Sequence, residues 1–142
     1  MGNQGKDPGQ FSSPYDVTTN SLGEIYVVDM HNHRIQKFDP NGSYITQWGV
    51  NGSGPGQFIY PRGIAADGNG NIYVADTDNH RIQKFTTSGT YLTQIGNSGS
   101  APGQFEYPHD VTVDGYGNIY VADFGNARIQ KFNSSGSFLI EW

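Results

Sequence analysis

The sequence predicts an all-β protein made of β-propeller blades, with three four-stranded antiparallel blades in the chain, and three observations carry that expectation. The first is a strict repeat. Gly9-Gln10-Phe11, Gly56-Gln57-Phe58 and Gly103-Gln104-Phe105 are spaced by 47 residues. So are Ile25-Tyr26-Val27 and Arg34-Ile35-Gln36-Lys37-Phe38 and their copies. A period of this size marks stacked or circular arrays whose units cannot bury a hydrophobic face alone. The second is that apolar residues come in short runs, alternating with period two and never with the 3.6 period of a helix. The third is turn chemistry: the chain's 20 glycines lie mostly between these runs, as tight connections require.

The elements follow in order along the middle unit. Ile64-Ala65-Ala66-Asp67 reads as a short apolar strand suited to a crowded inner position. Gly68-Asn69-Gly70-Asn71 tolerates positive φ and makes the hairpin. Ile72-Tyr73-Val74-Ala75-Asp76 is the second strand, Thr77-Asp78-Asn79-His80 a turn, and Arg81-Ile82-Gln83-Lys84-Phe85 a half-buried third strand. After Thr86-Thr87-Ser88-Gly89 comes the fourth and most exposed strand, Thr90–Ile95, and then a longer Gly/Ser/Pro link. Four antiparallel strands with tight turns and one long link describe a propeller blade. The blades are expected at residues 2–48, 49–95 and 96–142.

Charge narrows the function classes. The chain has 8 Lys and Arg against 13 Asp and Glu, for a net charge of −5. Six of those basic residues belong to the repeated Arg-Ile-Gln-Lys-Phe strand, which leaves Lys6 and Arg62. A phosphate footprint needs more, so no nucleic-acid partner is expected. No run approaches the length of a membrane span, and no membrane partner is expected. There is no cysteine. The first residues hold no apolar signal core, and the match of the chain to whole repeats suggests a fragment or an engineered chain.

Asn79-His80-Arg81-Ile82, preceded by Tyr73-Val74-Ala75-Asp76, resembles the signature of the NHL-repeat family, as do Asn32-His33-Arg34-Ile35 and Asn126-Ala127-Arg128-Ile129. The resemblance spans essentially the whole chain. It implies a β-propeller, usually of six blades, and its members include RNA-binding modules, sensor domains and the amidating lyase. Three blades of such a ring turn through roughly 180° and leave two raw faces. A C2 homodimer joined head to tail, blade one to blade three, would close the ring.

Repeated carboxylates Asp29, Asp76 and Asp123, each near Arg34, Arg81 or Arg128, read as structural corners. His33 and His80 read the same way. Asp67-Gly68-Asn69-Gly70-Asn71 lacks the glycine and closing Glu of a calcium loop and is a hairpin. Functional variation lies where each first strand begins: Pro14-Tyr15-Asp16-Val17, Pro61-Arg62-Gly63-Ile64 and Pro108-His109-Asp110-Val111. These positions converge on one mouth of the channel. Tyr15, Arg62 and His109 are the candidate ligand-binding residues. Asp16, Asp110 and His109 are the candidate metal ligands, with calcium or another divalent cation as the cofactor they suit. Pro108-His109-Asp110 resembles the amidating-lyase motif, which implies a zinc role for His109 and a calcium role for Asp110. That enzyme draws zinc histidines from three blades, whereas Tyr15 and Arg62 stand at the matching positions here. The expected function is a non-catalytic scaffold or binding module that self-assembles into a ring and takes a protein or peptide ligand. The alternative is a metal-dependent lyase or hydrolase working at the channel.

Overall fold

The structure, a computed structural model, describes residues 3–142. Three sheets follow one another along the chain. The first holds β1 (Pro14–Thr19), β2 (Ile25–Asp29), β3 (Arg34–Phe38) and β4 (Tyr44–Trp48). The second holds β5 (Ile64–Ala66), β6 (Asn71–Asp76), β7 (Arg81–Thr86) and β8 (Tyr91–Ile95). The third holds β9 (Pro108–Val113), β10 (Ile119–Asp123), β11 (Arg128–Phe132) and β12 (Phe138–Glu141). Within each sheet consecutive strands pair antiparallel. The first strands β1, β5 and β9 lie side by side, so the blades fan out from one edge, as in a propeller. Between second and third strands the chain makes one 3-10 turn, closed by His33, His80 or Ala127 in the left-handed conformation at φ 51°, 54° and 52°.

Each blade has two different apolar faces. At the first junction Tyr26, Val28 and Ile35 of one blade meet Phe58, Ile64, Ile72, Val74 and Phe85 of the next. At the second, Tyr73, Ala75, Ile82 and Ile95 meet Phe105, Val111, Ile119, Val121 and Phe132. The two sets are related by the repeat offset, so one contact is used twice. Phe58 and Phe105 are fully buried wedges. Each leans on a glycine: a Cβ on Gly49 would fall 2.5 Å from Phe58, and one on Gly96 2.3 Å from Phe105. Both glycines also have positive φ, so backbone and packing demand the same residue.

The sequence placed the most crowded position at the first strand. The structure buries the second and third strands more: β3 is buried along its whole length, while β1 is mostly exposed. The reason is that β1 has no preceding blade and faces the open side of the arc. In the central blade, with neighbours on both sides, Ile64 and Ala65 of β5 are buried.

A buried carboxylate organises every blade. Asp76 is completely buried. Its Oδ1 accepts the Ile59 N–H at 2.9 Å, and its Oδ2 accepts from Arg81 Nε at 2.8 Å, Asn79 Nδ2 at 2.9 Å and Gln83 Nε2 at 3.0 Å. Arg81 also donates to the carbonyls of Gly54 and Gln57 and to Gln94 Oε1, at 2.8, 3.0 and 3.0 Å. Gln83 accepts the Gly56 N–H and donates to the Gln57 carbonyl, at 2.9 and 2.7 Å. The long link before each first strand is thereby tied to its own blade, and the wedge phenylalanine is held in place. Burial pushes the Asp76 carboxyl up, and its donors pull it back. The Asp–Arg corner matches the structural reading of the sequence; the third member, Gln36, Gln83 or Gln130, was not singled out there.

Replacing Asp76 by Ala strips the buried Arg81 of its partner. The expected loss is roughly 3–5 kcal/mol of stability, read from urea unfolding followed by circular dichroism.

Candidate functional site

The first-strand openings do converge. Tyr15, Asp16, Gly63, His109 and Asp110 line one cavity of about 310 Å³. Arg62 stands beside it, with its guanidinium 5.8 Å from the centre of the Tyr15 ring, within cation–π range. Arg62 Nη1 is hydrogen-bonded to His109 Nε2. The His109 ring stacks flat on Phe124, with centroids 4.0 Å apart and planes 4° from parallel. Burial first, and then the Arg62 charge, hold the His109 imidazolium form down, so the ring accepts from Arg62 as the neutral base. Arg62 Nε is buried and makes no hydrogen bond among the described residues.

The two carboxylates have different surroundings. Asp16 Oδ1 accepts its neighbour's N–H at Val17, at 2.8 Å, and Oδ2 reaches across to the N–H of Ile64 in the next blade, at 3.0 Å. It is a strut between blades. Asp110 Oδ1 accepts the Val111 N–H at 2.9 Å. Burial, and to a lesser degree the Asp16 charge, push its carboxyl up. Gly63 separates them: a Cβ there would lie 2.6 Å from both Cα and Oδ1 of Asp110. The glycine is what lets β9 approach.

The backbone entering this mouth is set by the blade before it. Tyr60 and Tyr107, each directly before the proline, take positive φ of 48° and 51°. The N–H of Tyr60 donates to His33 Nδ1 at 3.1 Å, and that of Tyr107 to His80 Nδ1 at 3.2 Å. The paired rings pack with centroids 4.7 and 4.5 Å apart. His33 therefore steers Arg62, and His80 steers His109. Sequence reasoning brought together all five variable side chains of the mouth. It missed Phe124 as the floor under His109 and the His–Tyr latch. A signal for the latch was present: the repeats that carry His also precede a repeat that carries Tyr before the proline.

Asp16, His109 and Asp110, the three candidate metal ligands, line the same cavity. Among the described residues no group of three or more His, Cys, Asp or Glu side chains could hold an ion. The arrangement offers a guanidinium on an aromatic ring, a neutral histidine and the exposed Asp110 carboxylate, which together suit hydrogen bonding to a polar ligand.

The sequence pattern that defines the NHL repeat matches residues 11–38, 58–85 and 105–132. The chain is 43% identical over 49 residues to protein brain tumor of Drosophila melanogaster, covering 34% of this chain and 5% of that protein. It is 45% identical over 47 residues to peptidyl-glycine alpha-amidating monooxygenase of Mus musculus, covering 32% of this chain and 5% of that one. It thus spans about a twentieth of the length of these two relatives. Among solved structures, a virginiamycin B lyase from Staphylococcus aureus superposes with a TM-score of 0.71 at 21% identity, covering 92% of this chain and 41% of the lyase. At that identity the likeness is one of fold, the β-propeller.

The raised Asp110 carboxyl has a direction that can be checked. Its neutral form is favoured in the fold, so its contribution to stability is fully present below the ordinary value of 3.8 and is lost as pH rises through the raised one. Carboxyl NMR titration should place Asp110 above the usual Asp range, and Asp16→Asn should lower it by removing the second charge.

Proposed function

This chain belongs to the NHL-repeat family, and from that premise we propose that it is a non-catalytic propeller scaffold whose two copies close a six-bladed ring and offer the shared mouth to a protein or peptide ligand. One observation carries this reading: each end blade exposes the half of the interblade contact that the other end supplies. On blade one, Val17 is 58% and Tyr44 38% exposed, where their counterparts Ile64 and Tyr91 pack into the first junction. On blade three, Trp142 is 63% exposed, where its counterparts Trp48 and Ile95 pack against the following blade. Exposed apolar faces of this kind are association surfaces. A head-to-tail pair with twofold symmetry covers both and leaves no open end.

The mouth of such a ring gathers two each of Tyr15, Asp16, Arg62, His109 and Asp110. The other reading, a metal-dependent lyase or hydrolase, would need His109 released from Arg62 and Asp16 released from two backbone N–H groups. The basic residues support a partner other than nucleic acid. Arg34, Arg81 and Arg128 are held in the buried corners. Lys37, Lys84 and Lys131 lie over Tyr26, Tyr73 and Tyr120.

Light scattering on a sizing column tests the assembly. The expected mass is twice 15.5 kDa at concentrations well above the dissociation constant, with no larger species. A species of 15.5 kDa at every concentration overturns ring closure and the shared mouth with it.

A further inference from the structure

Inside the chain, one tryptophan closes a junction. Trp48, at the end of β4, crosses to the next blade and lies against Phe85, with ring centroids 5.7 Å apart. It covers the turn at Gly89 so closely that a Cβ there would meet its ring at 2.5 Å. Tyr26 of its own blade supports it edge-on at 6.3 Å. One repeat later Ile95 takes this place and is too small for it: a cavity of about 90 Å³ remains, lined by Ile95, Tyr73 and Gly136 among others. Two repeats later the residue is tryptophan again, Trp142. Its backbone is paired to Ile129 at 2.8 and 3.1 Å, and Tyr120 supports its ring at 6.3 Å. The side chain is already in the pose of Trp48, but it projects into solvent.

The matching seat exists at the other end of the chain. Shifting Phe85, Gly89 and Tyr91 back by one repeat gives Phe38, Gly42 and Tyr44. Those three residues, with Pro8 and Gly9, line an open cavity of about 420 Å³ on blade one. A second feature matches these same two faces. Both internal junctions carry the His–Tyr latch. The end faces carry Ala127 at the histidine position and Ser13 at the tyrosine position, so both halves of the latch are missing together. That is what two faces that meet each other require, since neither half is left without its partner.

We propose that Trp142 is the anchor of the seam between copies, filling in the second copy the cavity lined by Pro8, Gly9, Phe38, Gly42 and Tyr44. The inference rests on ring closure as proposed above and adds the side chain that holds it. With no His–Tyr latch at the seam, the indole takes over the side-chain contact that locks it. Because the ring is held in place before association, little side-chain freedom is lost when it docks.

Sedimentation equilibrium on the full chain and on Trp142→Ala tests this, together with fluorescence of Trp48→Phe, in which Trp142 is the sole tryptophan. Trp142→Ala should keep its circular-dichroism spectrum and weaken the dimer roughly tenfold or more, as loss of a central aromatic anchor does. Trp142→Phe should recover part of the loss. In Trp48→Phe, emission should shift to shorter wavelength as concentration rises through the dissociation constant. A wild-type dimer with unchanged affinity in Trp142→Ala, and Trp142 emission that does not respond to concentration, would overturn the anchor and leave ring closure standing. A wild-type protein that stays monomeric throughout would overturn both. If Trp142→Ala fails to fold, the emission of Trp48→Phe decides alone.

Discussion

Everything in this fold hangs on one buried carboxylate per blade. Asp29, Asp76 and Asp123 are all fully buried, and each is surrounded by an arginine, an asparagine, a glutamine and a backbone N–H. A carboxylate removed from water in this way is tolerable only when its oxygens are satisfied. The same donors that satisfy it reach on to the carbonyls of the preceding link. The link therefore cannot move without exposing unpaired polar groups, and Phe58 and Phe105 are wedged between blades as a result. Local sequence, a polar cluster and an apolar interface are in this way one device, repeated. In blade three the arginine also pairs with Glu141 at 2.7 Å, where its counterparts meet Gln47 and Gln94.

The mouth inherits its rigidity from that device and its chemistry from the few positions the device leaves free. Because the tyrosine before each internal proline is pinned to a histidine one blade back, the residues that follow it are aimed rather than loose. Asp16 carries a bond from blade one to blade two, and Gly63 makes room for Asp110 from blade three. A rigid rim bearing varied polar groups is a common way for an all-β scaffold to acquire binding specificity. Two copies of this rim around one axis, as proposed, would bring four carboxylates and two arginines into a narrow space. Ligands with both a positive group and a hydrogen-bonding acceptor would fit that balance of charge.

Much of this was legible in the residues. The repeat located the strands to within a residue or so: Arg81-Ile82-Gln83-Lys84-Phe85 opens β7, and Tyr91–Ile95 is β8. The variable residues after each proline identified the mouth, because positions that escape a strict repeat are free of its packing. Other features were hidden because their causes lie across blades. Val17 and Ile64 occupy equivalent places in the sequence, yet one is exposed and the other buried, because only one has a blade on that side. Phe124 under His109 breaks the repeat, since Thr77 and Met30 are its counterparts, and a lone substitution in a turn says nothing of what will stack on it. The glutamine of the buried corner looked like an ordinary polar residue in an alternating strand. Only the fold shows that strand buried on both faces.

The central claim is that blade three meets blade one of a second copy through the contact already used twice inside the chain. Ser13→Cys together with Ala127→Cys tests it most directly. The two positions correspond to Tyr60 with His33, where the Tyr60 backbone N–H reaches the His33 ring at 3.1 Å, and the chain has no other cysteine. A disulfide needs Cα atoms within roughly 7 Å. Oxidation should convert the double variant entirely to a covalent dimer joined by two disulfides, with nothing larger. A ladder of higher oligomers would show open head-to-tail chains, and an uncrosslinked product would show that these faces do not meet; either result contradicts the closed ring.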